Sequence, residues 1–231
     1  MSAIEYIRKD IPPFHFPEYP GDRYEAMVPD TLDLADRAEL GINGLTGPTD
    51  PAADYEIYWR VHFRNNPPMM FHDMNDHVQT KFWQALPLMR LMCGSGQNSN
   101  AEKRWMEVML HMLGEDGLLY TPIKGRPWAL PAEADPFAGL DGLPKGNHFC
   151  ILPLMGRALG ALGIYAHLDP HGPWKDAARK LADGIIRHAV CEDDTAYLPV
   201  NMVEPGRTGV CGKRPIKYSA GCAAWIAQGL V

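Results

Sequence analysis

Apolar residues recur at helical spacing in six stretches of the chain, separated by polar segments rich in proline and glycine. The first stretch is "PDTLDLADRAELGING", where Leu32, Ala35, Ala38 and Ile42 form a stripe. Asp30 or Thr31 is placed to cap this helix, Asp33 adds negative charge to its first turn, and Gly41 or Gly44 is placed to end it. "KFWQALPLMRLMCG" is apolar almost all round, which predicts a helix buried on several sides; Pro87 should kink it or mark its first turn. "SNAEKRWMEVMLHMLGEDG" is the clearest helix. Its Ser99 and Glu102 fit a capping box, and Trp105, Val108, Met109 and Met112 repeat on one face. The glycine- and alanine-rich "LMGRALGALGIYAHL", the strongly amphipathic "WKDAARKLADGIIRHAV" and the apolar "SAGCAAWIAQGLV" complete the set, the last predicted to be buried. "EIYWRVHF" reads as a short strand or extended segment. Pro12, Pro13, Pro17, Pro20 and Pro29 forbid regular helix near the N-terminus and predict an extended arm over residues 1–29, lying on the surface of a helical domain at 30–231.

The connections alternate in length. "GSGQNS" and "HLDPHGP" are short turns, whereas the segments between the first and second, third and fourth, and fifth and sixth helices are long and polar. A plain bundle links its helices through about two to eight residues. Long loops at one end and short turns at the other predict an all-α ring of helical hairpins with a loop-built face.

Composition changes this picture little. The chain has 231 residues, 46% hydrophobic and 22% charged, with net charge -6, and is long enough to bury a core. The mild acidity gives no basic footprint for nucleic acid. No apolar run is long enough for a bilayer span, and "MSAIEYIRKDIPPF" is not a secretory signal, so no membrane partner is expected. Five widely spaced cysteines without a CxxC pair predict reduced thiols in a cytoplasmic protein, with Cys191 and Cys211 in structural roles.

Four segments carry a resemblance: "YEAMVPDTLDLADRAELGINGLTG", "FWQALPLMRLMCGS", "MLGEDGLLYTPIKGRPW" and the helix around "LMGRALGALGIY". Together they resemble the α/α-toroid group, the six-hairpin glycosidases and related polysaccharide lyases, including hydrolases of β-linked arabinofuranose or glucuronic acid. The resemblance implies an (α/α)6-toroid fold in which a helix ends in a D-G-L turn and the next polar loop lines the barrel mouth. A complete ring has twelve helices, and six are legible here. With an apolar C-terminal helix, this predicts either a half ring whose C-terminal half is missing or a homodimer whose copies cover one another. Nothing in the chain matches the zinc-binding cysteine cluster of the arabinofuranosidase-like members, and no cofactor or metal is expected.

The residues with most chemical promise sit in "HFRNNPPMMFHDMNDH", residues 62–77. Pro67 and Pro68 should keep it non-helical and non-regular. His72, Asp73, Asp76 and His77 offer donors for a divalent ion but match no established ligand spacing. Tyr58, Trp59, His62, Asn65, Asn66, His72, Asp73 and Asp76 instead supply the amides, carboxylates, imidazoles and aromatic faces that sugars require, and an oligosaccharide is the expected partner. Asp73 and Asp76 serve equally as caps of the next helix. Glycoside hydrolysis needs two carboxyl groups, and the candidates are Asp73 or Asp76 in this loop, paired with Glu115 or Asp116 in "GEDGLLY". Asp116–Gly117 is also a favoured turn pair. Arg126 suits a uronate carboxylate and Trp128 a stacked ring, although Trp128 equally anchors a long connection. His148 precedes a buried helix, where a core or capping role is ordinary. Lys213, Arg214, Lys217 and Tyr218 form a basic loop segment. A lyase would cast Tyr218 or His148 as base and Arg214 or Asn66 as the group that neutralises the uronate. A non-catalytic helical subunit that binds carbohydrate or protein is the third alternative.

Overall fold

The computed structural model describes residues 4–19, 33–63, 66–72, 79–122, 148–198, 202–206 and 220–230. The described residues form six α-helices: α1 (Leu34–Thr46), α2 (Gln79–Cys93), α3 (Ser99–Met112), α4 (Met155–Leu168), α5 (Trp174–Arg187) and α6 (Ala220–Leu230). Strand among them is limited to three two-stranded sheets, so the protein is mostly helical. β1 (Tyr58–His62) pairs antiparallel with β2 (Met69–His72), β3 (Cys150–Ile151) with β6 (Met202–Val203), and β4 (Val190–Glu192) with β5 (Thr195–Tyr197).

α2, α4 and α6 lie side by side in that order, while α1 and α3 pack on α2 and α5 packs on α4. Small residues set these approaches. A Cβ on Gly229 of α6 would run into the backbone of Gly156 in α4, and one on Gly160 of α4 would come within 3.0 Å of the Gln84 amide of α2. Trp83, Leu86, Trp105, Met106, Met109, Leu159, Leu162, Tyr165, Trp174 and Leu181 fill a common core. The second and third long connections meet directly, because β3 lies in one and β6 in the other.

Of the arm predicted over residues 1–29, residues 4–19 are described, and they hold no helix or strand. Tyr6 OH donates to Asp54 Oδ2 at 2.5 Å, and the Tyr6 ring stacks on His111 with centroids 5.4 Å apart. Arg8 N–H donates to His111 O at 3.0 Å, and His111 Nδ1 lies 2.9 Å from Arg8 O. A carbonyl only accepts, so that imidazole nitrogen carries the proton. Farther along, Phe14 meets Trp174 edge-on at 5.3 Å, and His15 N–H donates to Asp169 at 3.2 Å.

Several local expectations are corrected. α1 starts later and runs through both glycines: Asp33 is its N-cap, accepting from Ala35 N–H at 2.8 Å and Asp36 N–H at 3.2 Å, and the helix continues to Thr46. Asp30, Thr31 and Asp33 are all competent caps by residue type, and local chemistry does not rank them. Ser99 and Glu102 do not form a capping box. Asn98 in the left-handed region precedes α3, and Glu102 points into the core, where the Arg90 guanidinium binds it. Tyr165 OH donates to Glu102 at 3.0 Å, and Tyr19 OH also donates to it. α2 packs against α1, α3 and α4, as a helix buried on several sides should, while Leu88, Leu91 and Met92 stay exposed opposite Trp83, Leu86 and Arg90. In α6, Ala224, Ala227 and Leu230 are exposed, whereas Ile226 is partly buried against the core. Residues 69–72, expected to be non-regular, form β2, because an antiparallel partner outweighs the prolines just before them.

Candidate active-site cleft

α3 ends in a tight reversal that places "GEDGLLY". Gly117 N–H donates to Gly114 O at 3.0 Å, Gly114 N–H to Leu118 O at 2.8 Å, and Tyr120 N–H to Met112 O at 2.8 Å. Gly117 has φ 84, and a Cβ there would strike the Lys180 carbonyl, so both conformation and packing require glycine. Asp116 accepts at both carboxylate oxygens, from Leu118 N–H at 3.2 Å and from Tyr120 OH at 2.5 Å. Its backbone carbonyl accepts from the Arg187 guanidinium. The turn role foreseen for Asp116–Gly117 is thus realised, and the same turn faces a cavity.

That cavity is a cleft of about 750 Å³ where four parts of the chain meet. The arm contributes Ile7, Arg8, Lys9 and Asp10; the reversal contributes Leu113 to Asp116 and Tyr120. Lys180 comes from α5, and Pro205 and Gly206 from the third connection. Glu115 is exposed, Asp116 is half-buried and Tyr120 is buried. Among the described residues, the side chains of Arg8, Lys9, Asp10, Glu115 and Lys180 find no hydrogen-bond or ion-pair partner.

The neighbours of Asp116 have distinct protonation behaviour. Burial, then the bond to Asp116 and its negative charge, raises the Tyr120 phenol far above its usual range, so Tyr120 stays protonated and serves as a donor. Burial and then the charge of Asp116 push the Cys150 thiol well up, which makes it a poor nucleophile. His188 at the end of α5 is lowered by burial, against the raising influence of Asp116. It is therefore largely neutral at pH 7.

The other sequence-predicted residues fall elsewhere. Tyr58 lies on β1 opposite His72 on β2, and His62 lies opposite Met69. Tyr58 is 39% exposed, and Asn66 is exposed between the strands. One hairpin therefore carries Tyr58, His62, Asn66 and His72. His148 adjoins Phe149, whose backbone pairs with Thr121. Tyr58, Asn66 and His148 do not line the cleft. Asn65, Asp73, Asp76, Arg126, Trp128, Arg214 and Tyr218 lie outside the described residues, as do His77, Lys213 and Lys217. Among the described residues no group of three or more His, Cys, Asp or Glu side chains is arranged to hold a metal ion, and no helix is long and apolar enough to cross a membrane.

Arg8, Lys9, Asp10 and Lys180 carry no motif, and only the docking of the arm beside α3 and α5 reveals them. Glu115 was legible as a carboxyl next to the D-G pair. Compared with known proteins, the chain matches no family model, no curated protein and no solved structure.

Proposed function

We propose that this protein is a glycoside hydrolase of the α/α-toroid type that cleaves an acidic oligosaccharide in the cleft at the end of α3. The observation that carries the reading is the pairing of an exposed, unengaged carboxyl, Glu115, with a fixed one, Asp116, on a cleft large enough for sugar units. Two further features support it. Every second helix (α2, α4, α6) packs side by side, as the inner helices of a toroid arc do. The second and third long connections also both line the cleft.

In this mechanism Glu115 donates a proton to the leaving glycosidic oxygen, since it alone of the two has no bond to give up. Asp116, oriented by Tyr120 and Leu118, is the partner carboxylate, which takes a proton from the water that attacks the anomeric carbon as that carbon's bond to the leaving oxygen breaks. Burial and the bond to Asp116 keep the Tyr120 phenol protonated, which suits it as the donor that orients Asp116. Reducing-end release from uronate- and arabinose-containing oligosaccharides tests the proposal. Glu115→Gln should lower turnover by about a hundredfold or more while sugar binding persists, the usual weight of general acid catalysis. Undiminished turnover in Glu115→Gln would reject the assignment. Sugar binding by the native protein without turnover would make it a binding module.

A further inference from the structure

The helices divide into two sets by the charge of their exposed positions. Six of the seven exposed residues of α5 are charged, Ile186 being the exception, and α1 and α3 expose Asp36, Arg37 and Lys103. Among the described residues, the exposed positions of α2, α4 and α6 carry no Asp, Glu, Lys or Arg. These three helices lie side by side, and their exposed stripes adjoin. Gln84, one turn before Leu88, meets Gly160, one turn before Gly163, and Gly229 of α6 sits on the backbone of Gly156 in α4. The resulting surface has relief. Leu88, Leu91 and Met92, at helical spacings of three and four, form a ridge on α2, each 37–47% exposed. Beside the ridge, exposed Gly163 and, farther on, Ala224 and Ala227 leave a shallow channel. A Cβ on Gly163 would meet nothing within 4 Å.

We infer that this surface is the interface for a second copy of the chain. The copies pack about a two-fold axis between α2 and α4, so that the ridge of each lies in the channel of the other. Shape, charge and area all favour that occupant. Ridge and channel stand on one surface and fit one another, as an isologous contact requires. The surface offers no charge with which to steer or select a different partner, and two neutral faces meet without like charges in contact although each chain carries net charge -6. The three helices have 15, 14 and 11 residues. At about 1.5 Å per residue and about 10 Å between axes they present roughly 600 Å². Two such faces bury about 1,200 Å², the lower edge of a stable specific interface. The inference uses no residue of the cleft, so it stands or falls apart from the hydrolase reading.

Light scattering on the full chain at about 100 μM, where even a micromolar dimer is almost fully formed, tests the interface. The native protein should have twice the chain mass of 25.7 kDa. The double variant Leu88→Lys/Leu91→Lys should have the mass of one chain, because the dimer would bury its ammonium groups without partners. Both positions are exposed and lysine suits a helix about as well as leucine, so its helical circular dichroism should match the native protein's. Gly163→Leu separates shape from mere adhesion. It fills the channel without meeting its own copy, so it should weaken the dimer about tenfold, the usual cost of overpacking, whereas an adhesive surface would associate more strongly. A native monomer, a native species larger than two chains, a dimer that survives the double lysine change, or undiminished association in Gly163→Leu overturns the interface.

Discussion

Replacing Glu102 with Gln tests the polar core of the protein. Glu102 and Arg90 are both fully buried and form an ion pair that links α3 to α2. Tyr165 of α4 and Tyr19 of the arm donate to the same carboxylate, and Arg90 Nη1 donates to Ser95 O at 2.8 Å. Arg90 Nη2 is buried with no acceptor among the described residues, so the guanidinium already lacks one bond there. The amide introduced by Glu102→Gln can still accept from one or both phenols, but it leaves Arg90 as an uncompensated buried cation. Breaking a buried pair on one side costs about 3–5 kcal/mol. In a chain of this length each kcal/mol moves Tm by about 2–4 °C, so a drop on the order of 10 °C is expected. Urea unfolding followed by circular dichroism should show the midpoint falling with the m-value unchanged. A cost below about 1 kcal/mol in Glu102→Gln would refute the reasoning, since only a solvated pair is so weak.

Two other outcomes follow from the same contacts. Gly117→Ala should cost at least about 2 kcal/mol, combining the left-handed backbone penalty with collision against the Lys180 carbonyl, and differential scanning calorimetry reads it directly. Above pH 10 stability should fall steeply. Tyr6, Tyr19, Tyr120 and Tyr165 all have phenols raised above the usual value of 10.0, chiefly by burial and then by the carboxylates they bond. The unfolded chain sheds these protons near pH 10 while the folded chain keeps them. The stabilisation is therefore complete below that pH and is lost as pH rises, by up to about 1.4 kcal/mol per tyrosine per pH unit. A Tm that stays flat between pH 9 and 11 would contradict these environments.

The helical elements were legible because each is dictated by its own neighbours in sequence. Trp105, Val108, Met109 and Met112 in α3 fall on one face by spacing alone, and all are buried; of the stripe Trp174, Ala178, Leu181, Ile185 and Ala189, the three large residues are buried and the two alanines partly so. The arm was legible from its prolines, and Asp116–Gly117 from turn chemistry. Wherever two uses of a residue are locally equivalent, the sequence leaves the choice open. Glu102 three residues after Ser99 satisfies a capping pattern, yet Arg90 of α2 captures it, because a charge-assisted bond inside the core outweighs one exposed cap. Met69 to His72 have strand-competent residues but become a strand only when β1 lies alongside. Apolar residues all round α2 give no sign of which face will be left exposed, and the packing of α1, α3 and α4 left Leu88, Leu91 and Met92 outside.

The cleft shows the same division. Glu115 and Asp116 are named by one short motif, whereas Lys9 and Lys180 are ordinary lysines in the sequence and come to line one cavity only through the docking of the arm. Spacing between near neighbours was enough to place the helices and one carboxylate turn, since these depend on residues within a few positions of one another. Which charges share the cleft depends on the tertiary structure, because electrostatic interaction depends on distance in space and the chain folds residues 7–10, 113–116, 120, 180 and 205–206 around a single cavity.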